Sequence, residues 1–140
     1  MQFEIIDISG DVGIRVYGKS CEEAFVNAGI GMYSLISNIE EIVEKQIIDI
    51  EAKSHSLEGL LVSYLNELIF QFDTYGFIGK RIEIINFSKH PPVSIKAKIY
   101  GEEFDDGRHE RRLLVKAATY HNIRVEKINN KWEIEVVFDI

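Results

Sequence analysis

Asp7-Ile8-Ser9-Gly10-Asp11-Val12-Gly13-Ile14-Arg15-Val16-Tyr17-Gly18 is an acidic turn that opens into a strand, and the rest of the chain is read outward from it. Val12, Ile14 and Val16 recur at every second position, the period that puts side chains on one face of a strand. Phe3 to Ile8 alternates more loosely and reads as a preceding strand, so the two predict a hairpin. Asp11 then stands at a strand mouth, held by a rigid neighbour. At the far end of the chain, Trp132, Ile134, Val136 and Phe138 alternate with Glu133, Glu135, Val137 and Asp139, so Asp139 leaves its sheet on the face opposite Phe138. If these strands are neighbours, Asp11, Asp139 and the carboxylate that ends the chain at Ile140 converge on one rim. Such a cluster is costly without a cation or a basic side chain to balance it, and a hard-metal site is the expectation.

The 140 residues, 46% of them hydrophobic, suffice for one ordinary core, and a single domain over residues 1–140 is expected. The sequence offers neither an apolar run of membrane-spanning length nor the basic and apolar blocks of a signal peptide, so a cytoplasmic protein with no membrane contact is expected. The net charge of -7 argues against direct binding to a nucleic-acid backbone and favours a basic protein surface or a cation as partner. Cys21, the lone cysteine, falls within an apolar helical pattern and reads as core.

Ser20 with Glu23 three residues on is a capping-box pattern, and Cys21, Ala24, Phe25, Ala28, Met32 and Leu35 then repeat at helical spacing as far as Ser37. Gly29 and Gly31 weaken that helix unless close packing requires them. Gln46 to Ala52 reads as a half-solvated strand. Leu57, Leu60, Leu61, Tyr64, Leu65, Leu68, Ile69 and Phe72 form the strongest helical stripe, with Ser54 or Ser56 as its cap. Asp73 to Gly79 reads as a turn. Arg81 to Phe87 and Val93 to Tyr100 read as strands around the Pro91-Pro92 connection, Gly101 to Glu110 as a charged loop, and Arg112 to Tyr120 as a further strand continuing through Val125. Asn129-Asn130 suits a tight hairpin before the last strand. The pattern predicts an α+β fold, a largely antiparallel β-sheet carrying two main α-helices on one face. Each half has a helix followed by strands, which raises an internal duplication without a sequence match strong enough to assert it.

The stretch Asp7 to Gly18, continuing through Ser20-Cys21-Glu22-Glu23-Ala24-Phe25, resembles the archease family. So do the helix Leu57-Glu58-Gly59-Leu60-Leu61-Val62-Ser63-Tyr64-Leu65-Asn66-Glu67-Leu68, the Gly101-Glu102-Glu103-Phe104 loop with Arg108-His109, the segment Val115-Lys116-Ala117-Ala118-Thr119-Tyr120-His121 and the closing Val137-Phe138-Asp139-Ile140. The similarity is co-linear over nearly the whole chain. One departure is Ile8, where the family usually carries histidine. The resemblance implies the archease fold and the role of an accessory activator, itself no enzyme, of an RtcB-type RNA ligase in tRNA splicing. In that role it promotes ligase guanylylation and multiple turnover and meets tRNA only through the ligase. It further implies a divalent metal, calcium foremost with magnesium or manganese as alternatives, on Asp11, Asp139 and Ile140. Lys116 matches a family lysine with a possible phosphate or partner contact; a solvated lysine on the open sheet face is the plain alternative.

Other polar groups have plain readings. An Asp in a turn commonly caps its own backbone, which is the expectation for Asp7. His109 and His121 lack a second ligand at metal-binding spacing and read as strand-end hydrogen-bonding groups. Glu67 is expected in solvent, and Glu102, Glu103, Asp105 and Asp106 as a solvated acidic turn, with docking on a basic partner as the other reading. Two competing functions are a stand-alone metal-dependent phosphoester hydrolase and a general protein chaperone or interaction module. Against the hydrolase stand the missing paired histidines, nucleophile elbow and phosphate-cradling loop; against the chaperone, hydrophobic stripes that one core uses up.

Overall fold

The computed structural model describes residues 3–140. Strands β1 (Phe3–Ile8) and β2 (Asp11–Gly18) form the predicted hairpin, with Ile8 paired to Asp11. The two-residue turn takes positive φ at both Ser9 (22°) and Gly10 (88°), the requirement of the tight turns that match strand twist. Ser20 then caps α1 (Cys21–Ile36) by accepting from Glu23 N at 3.1 Å, while the Glu23 carboxylate reaches back to Lys19 N–H, also 3.1 Å. The box is therefore closed one residue further back than its usual form. Gly29 is required by packing: a Cβ there would lie 2.5 Å from both Ile82 Cδ1 and Tyr64 Oη. This close approach offsets the helix-weakening cost of glycine.

A single 3₁₀ turn (Ile39–Glu41) leads to β3 (Gln46–Ser54). Ser56 caps α2 (Leu57–Tyr75) by accepting from Gly59 N at 3.0 Å. The expected turn over Asp73 to Gly79 is replaced by one residue. The helix runs on to Tyr75, and Gly76, at φ 70°, donates to Phe72 O and sends the chain directly into β4 (Phe77–Ser88). Strand β5 (Val93–Glu103) is also longer than predicted, taking in Gly101, Glu102 and Glu103. The last elements are β6 (Ala117–Ala118), β7 (Arg124–Ile128) and β8 (Lys131–Asp139), with Asn129 and Asn130 at φ 51° and 66° in the β7–β8 turn.

All pairing is antiparallel, but it is divided between two sheets. One runs β1-β2-β8-β6, with β7 also on β8; the other runs β3-β5-β4. Each sheet buries one face beneath the helices. In the larger, Val12, Ile14, Val16, Ile134, Val136 and Phe138 point inward, and in the smaller Ile50, Val93, Ile95, Ala97 and Ile99 do. Helix α1 touches β2, β8 and β4, and α2 touches β3, β4, β5, β6 and β7, so one core serves both sheets. The Tyr64 hydroxyl ties the helices by donating to Phe25 O at 3.0 Å, a buried bond that contributes about 1 kcal/mol.

The strand expected from Arg112 to Tyr120 survives only as β6. Its earlier N–H groups are taken by a helix end: Arg112 N donates to Ile36 O and Leu113 N to Leu35 O, both at 2.9 Å, satisfying carbonyls that α1 leaves open.

Candidate functional site

The expected neighbourhood of the two chain ends is present. Val12 pairs with Phe138 across β2 and β8, so Asp11 and Asp139 are the next positions outward on adjacent strands. Ile8 pairs with Asp11 on one side and Ala117 with Asp139 on the other. Ile8, Asp11, Asp139 and Ala117 thus form one row across β1, β2, β8 and β6, on the face opposite the buried Val12, Phe138 and Ala118. Asp11 is half-buried and Asp139 exposed. Among the described residues neither carboxylate accepts a hydrogen bond or joins an ion pair. Like charges set directly across adjacent strands oppose the pairing that holds them, and a bound cation removes that cost.

Lys116 lies beside the row. Its backbone N–H donates to Asp139 O at 2.8 Å, and its exposed ammonium is in no ion pair among the described residues. Ile140 is the next position after Asp139 and is 38% exposed. Asp7 does not join the group: it lies inside β1 opposite Val12, exposed, and its carboxylate accepts no hydrogen bond among the described residues, so it does not cap the turn. Among the described residues no three His, Cys, Asp or Glu side chains gather as a metal cluster, and the rim offers two side-chain carboxylates.

The acidic loop departs most from expectation. Glu102 is 2% exposed, not a solvated turn residue. Its Oε2 accepts Val43 N at 2.6 Å and His109 Nε2 at 3.0 Å, and its Oε1 binds the Arg108 guanidinium, with Lys45 Nζ at 3.7 Å. Because His109 Nδ1 accepts Asp105 N–H at 2.9 Å, the ring hydrogen sits on Nε2 and is donated to Glu102. Burial alone would raise the Glu102 carboxyl; the Val43 N–H, Arg108 and His109 outweigh it and hold the group down at about 2. His109 therefore has the hydrogen-bonding role expected of it. A cleft of about 590 Å³ opens beside the cluster, lined by Lys45, Gln46, Glu103, Phe104 and Asp105.

The remaining candidates have plain roles. Cys21 is fully buried, and burial pushes its thiol up to about 12, which keeps it unreactive. His121 is exposed beside Asn122, and Glu67 is half-buried, accepting from Gln71 Nε2 at 3.1 Å. Asn66, beside Glu67, is the group that the helical pattern did not mark: its amide pairs with the main chain of Ala118.

Residues 3–140 match the archease protein family. The chain belongs to that family. It is 36% identical over 140 residues to protein archease of Pyrococcus furiosus, with 99% of each chain covered, and 31% identical to protein archease of Sulfurisphaera tokodaii, again with 99% of each covered. Its backbone is similar to the solution structure of protein 1598 of Methanobacterium thermoautotrophicum, with a TM-score of 0.84 and 27% identity over 99% of this chain and 98% of that one. A crystal structure from Thermotoga maritima, described as an archease and possible chaperone, shares the fold at a TM-score of 0.57 and 19% identity, covering 100% of this chain and 98% of that one. The two helices and the antiparallel strand pairing read from the sequence are thus those of archeases. No described helix is long and apolar enough to cross a membrane.

Proposed function

We propose that this archease activates an RtcB-type RNA ligase in tRNA splicing, promoting ligase guanylylation and repeated turnover through a divalent cation held at the Asp11–Asp139 rim. Support comes from membership of the family and, within this chain, from one observation: two carboxylates with no hydrogen bond or ion pair among the described residues stand one position beyond the Val12–Phe138 pair of β2 and β8. The donor set fits a hard cation. Asp11, Asp139 and the Ile140 carboxylate offer oxygen only, which suits calcium ahead of magnesium or manganese. These groups do not fill the 6–8 oxygen positions that calcium prefers, which leaves places for water or phosphate oxygens. A cation bound there would offset charge on phosphates during phosphoryl transfer.

The chain's own contribution is positional. The β2–β8 ladder fixes the spacing of the two aspartates, and the Lys116 N–H to Asp139 O bond holds the Lys116 main chain beside Asp139. Lys116 would reach toward a triphosphate in the partner's site as a flexible point charge. Single-turnover guanylylation and multiple-turnover RNA joining by a cognate RtcB-type ligase, with and without this protein and with Asp139→Ala, test the reading. Stimulation lost in the variant supports it. Equal stimulation by wild type and variant removes the rim from the mechanism, and no stimulation by either overturns the activator role.

A further inference from the structure

Strand β6 has only the residues Ala117 and Ala118, and no regular structure precedes it after β5. Two residues cannot hold a strand position by ladder bonds alone. On the β8 side, Lys116 N donates to Asp139 O at 2.8 Å, Thr119 N to Val137 O at 3.0 Å, and Thr119 Oγ1 to the same carbonyl at 2.9 Å. On the other side there is no strand. There the half-buried Asn66 side chain, from the middle of α2, accepts Ala118 N–H at 2.8 Å and donates to Ala118 O at 3.4 Å. A primary amide carries one acceptor and a pair of donors in the geometry of a peptide group, so it occupies the place of a neighbouring strand.

We infer that Asn66 is a positioning residue of the rim: by closing the outer edge of β6 it keeps Lys116 in register with Asp139. It acts through Lys116, two residues before the main chain it grips. The functional half of this inference rests on the reading that Lys116 works at the rim; the structural half does not. Without the amide, the Ala118 N–H and C=O have no partner among the described residues, and the segment from Lys116 to Thr119 is free to leave β8 while the β2–β8 ladder, which ends one position short of Asp11 and Asp139, stays intact.

Amide hydrogen exchange by NMR on the full chain, followed by ligase stimulation, tests this. In Asn66→Ala the Ala118, Lys116 and Thr119 amides are expected to exchange at least about tenfold faster, with those of the β2–β8 ladder unchanged. Asn66→Asp keeps the acceptor for Ala118 N–H and is expected to recover part of that protection; it also serves if the alanine variant folds poorly. Unchanged exchange at these three amides, or equal acceleration throughout the larger sheet, overturns the positioning role. In the ligase assay, Asn66→Ala is expected to lose as much stimulation as Lys116→Ala, and the double variant no more than either. Loosened amides with undiminished stimulation, or losses that multiply in the double variant, overturn it as well. Failure of the rim reading has a separate signature, undiminished stimulation by Asp139→Ala.

Discussion

Glu102 and the Asp11–Asp139 pair are both acidic groups at strand ends, yet the chain treats them in opposite ways. Glu102 is buried and saturated by a backbone N–H, a guanidinium and an imidazole from its own chain. The rim aspartates face outward with no such donors among the described residues. A carboxylate that spends its lone pairs on its own chain fastens the fold; here it clamps the approach to β3, the end of β5 and the 105–109 turn together. Carboxylates left free at adjacent register positions oppose folding slightly and remain available to a ligand from outside. The difference separates an acidic group spent on the fold from the pair on which the proposed function rests, without reference to the number of charges in either.

The sharpest way to break this division is to exchange the outcomes. Asp11→Ala or Asp139→Ala is expected to abolish ligase stimulation while changing stability by no more than about 0.5 kcal/mol, because each removes an exposed or half-exposed charge that has no partner among the described residues. Thermal unfolding beside the joining assay checks both halves, and a large stability loss in either variant would collapse the distinction. Glu102→Ala is expected to do the reverse. It strands Arg108 and His109 beside a cavity and should cost about 3–5 kcal/mol, with calcium affinity per folded molecule unchanged in a calorimetric titration. A variant of normal stability that fails to bind calcium would move function to the Glu102 cluster.

Acid sharpens the same comparison. The Glu102 carboxyl lies at about 2 in the folded protein, against an ordinary value of 4.5. Because the folded value is the lower one, its stabilisation is fully present above about pH 4.5 and is lost as pH falls toward 2. It amounts to something on the order of 3 kcal/mol. Denaturant titrations from pH 6 downward are expected to show this loss in the wild type and a shallower one in Glu102→Gln; parallel curves would contradict it. The smallest expected effect is at the chain end. Adding residues after Ile140 converts its carboxylate to a peptide carbonyl, and calcium affinity should fall several-fold while the aspartates still bind. An unchanged titration would remove Ile140 from the site.

Much of the fold was legible because its signals are local. The Ser9-Gly10 turn, the Ser20 and Ser56 caps, the helical stripes and the alternation into Phe138 each depend on residues a few positions apart, and each has its counterpart in the structure. The pairing of β2 with β8 entered the sequence reading only as a condition for the carboxylates to converge, and the structure supplies it. The segment from Arg112 to Val115 was misread as strand because residue pattern reports which faces are apolar, not where backbone donors go. Its N–H groups meet the open carbonyls of α1, an encounter set by the length of that helix. Glu102 was misread for a related reason. In sequence it stands in a run of charges, and only the fold-back of Arg108 and His109 makes its position a buried one.

The sequence by itself carried the resemblance to the family through its motifs, and most of the helices and strands through periodicity and capping chemistry; it also put Asp11 and Asp139 at strand ends. The tertiary structure alone decided that the strands divide into two sheets, that Glu102 is spent on the fold, and that Asn66 reaches across 52 residues of chain to hold Ala118. Hydrogen bonding is the physical reason. Local preference fixes how many donors and acceptors a segment brings, whereas their partners are chosen only when distant segments pack and water is excluded.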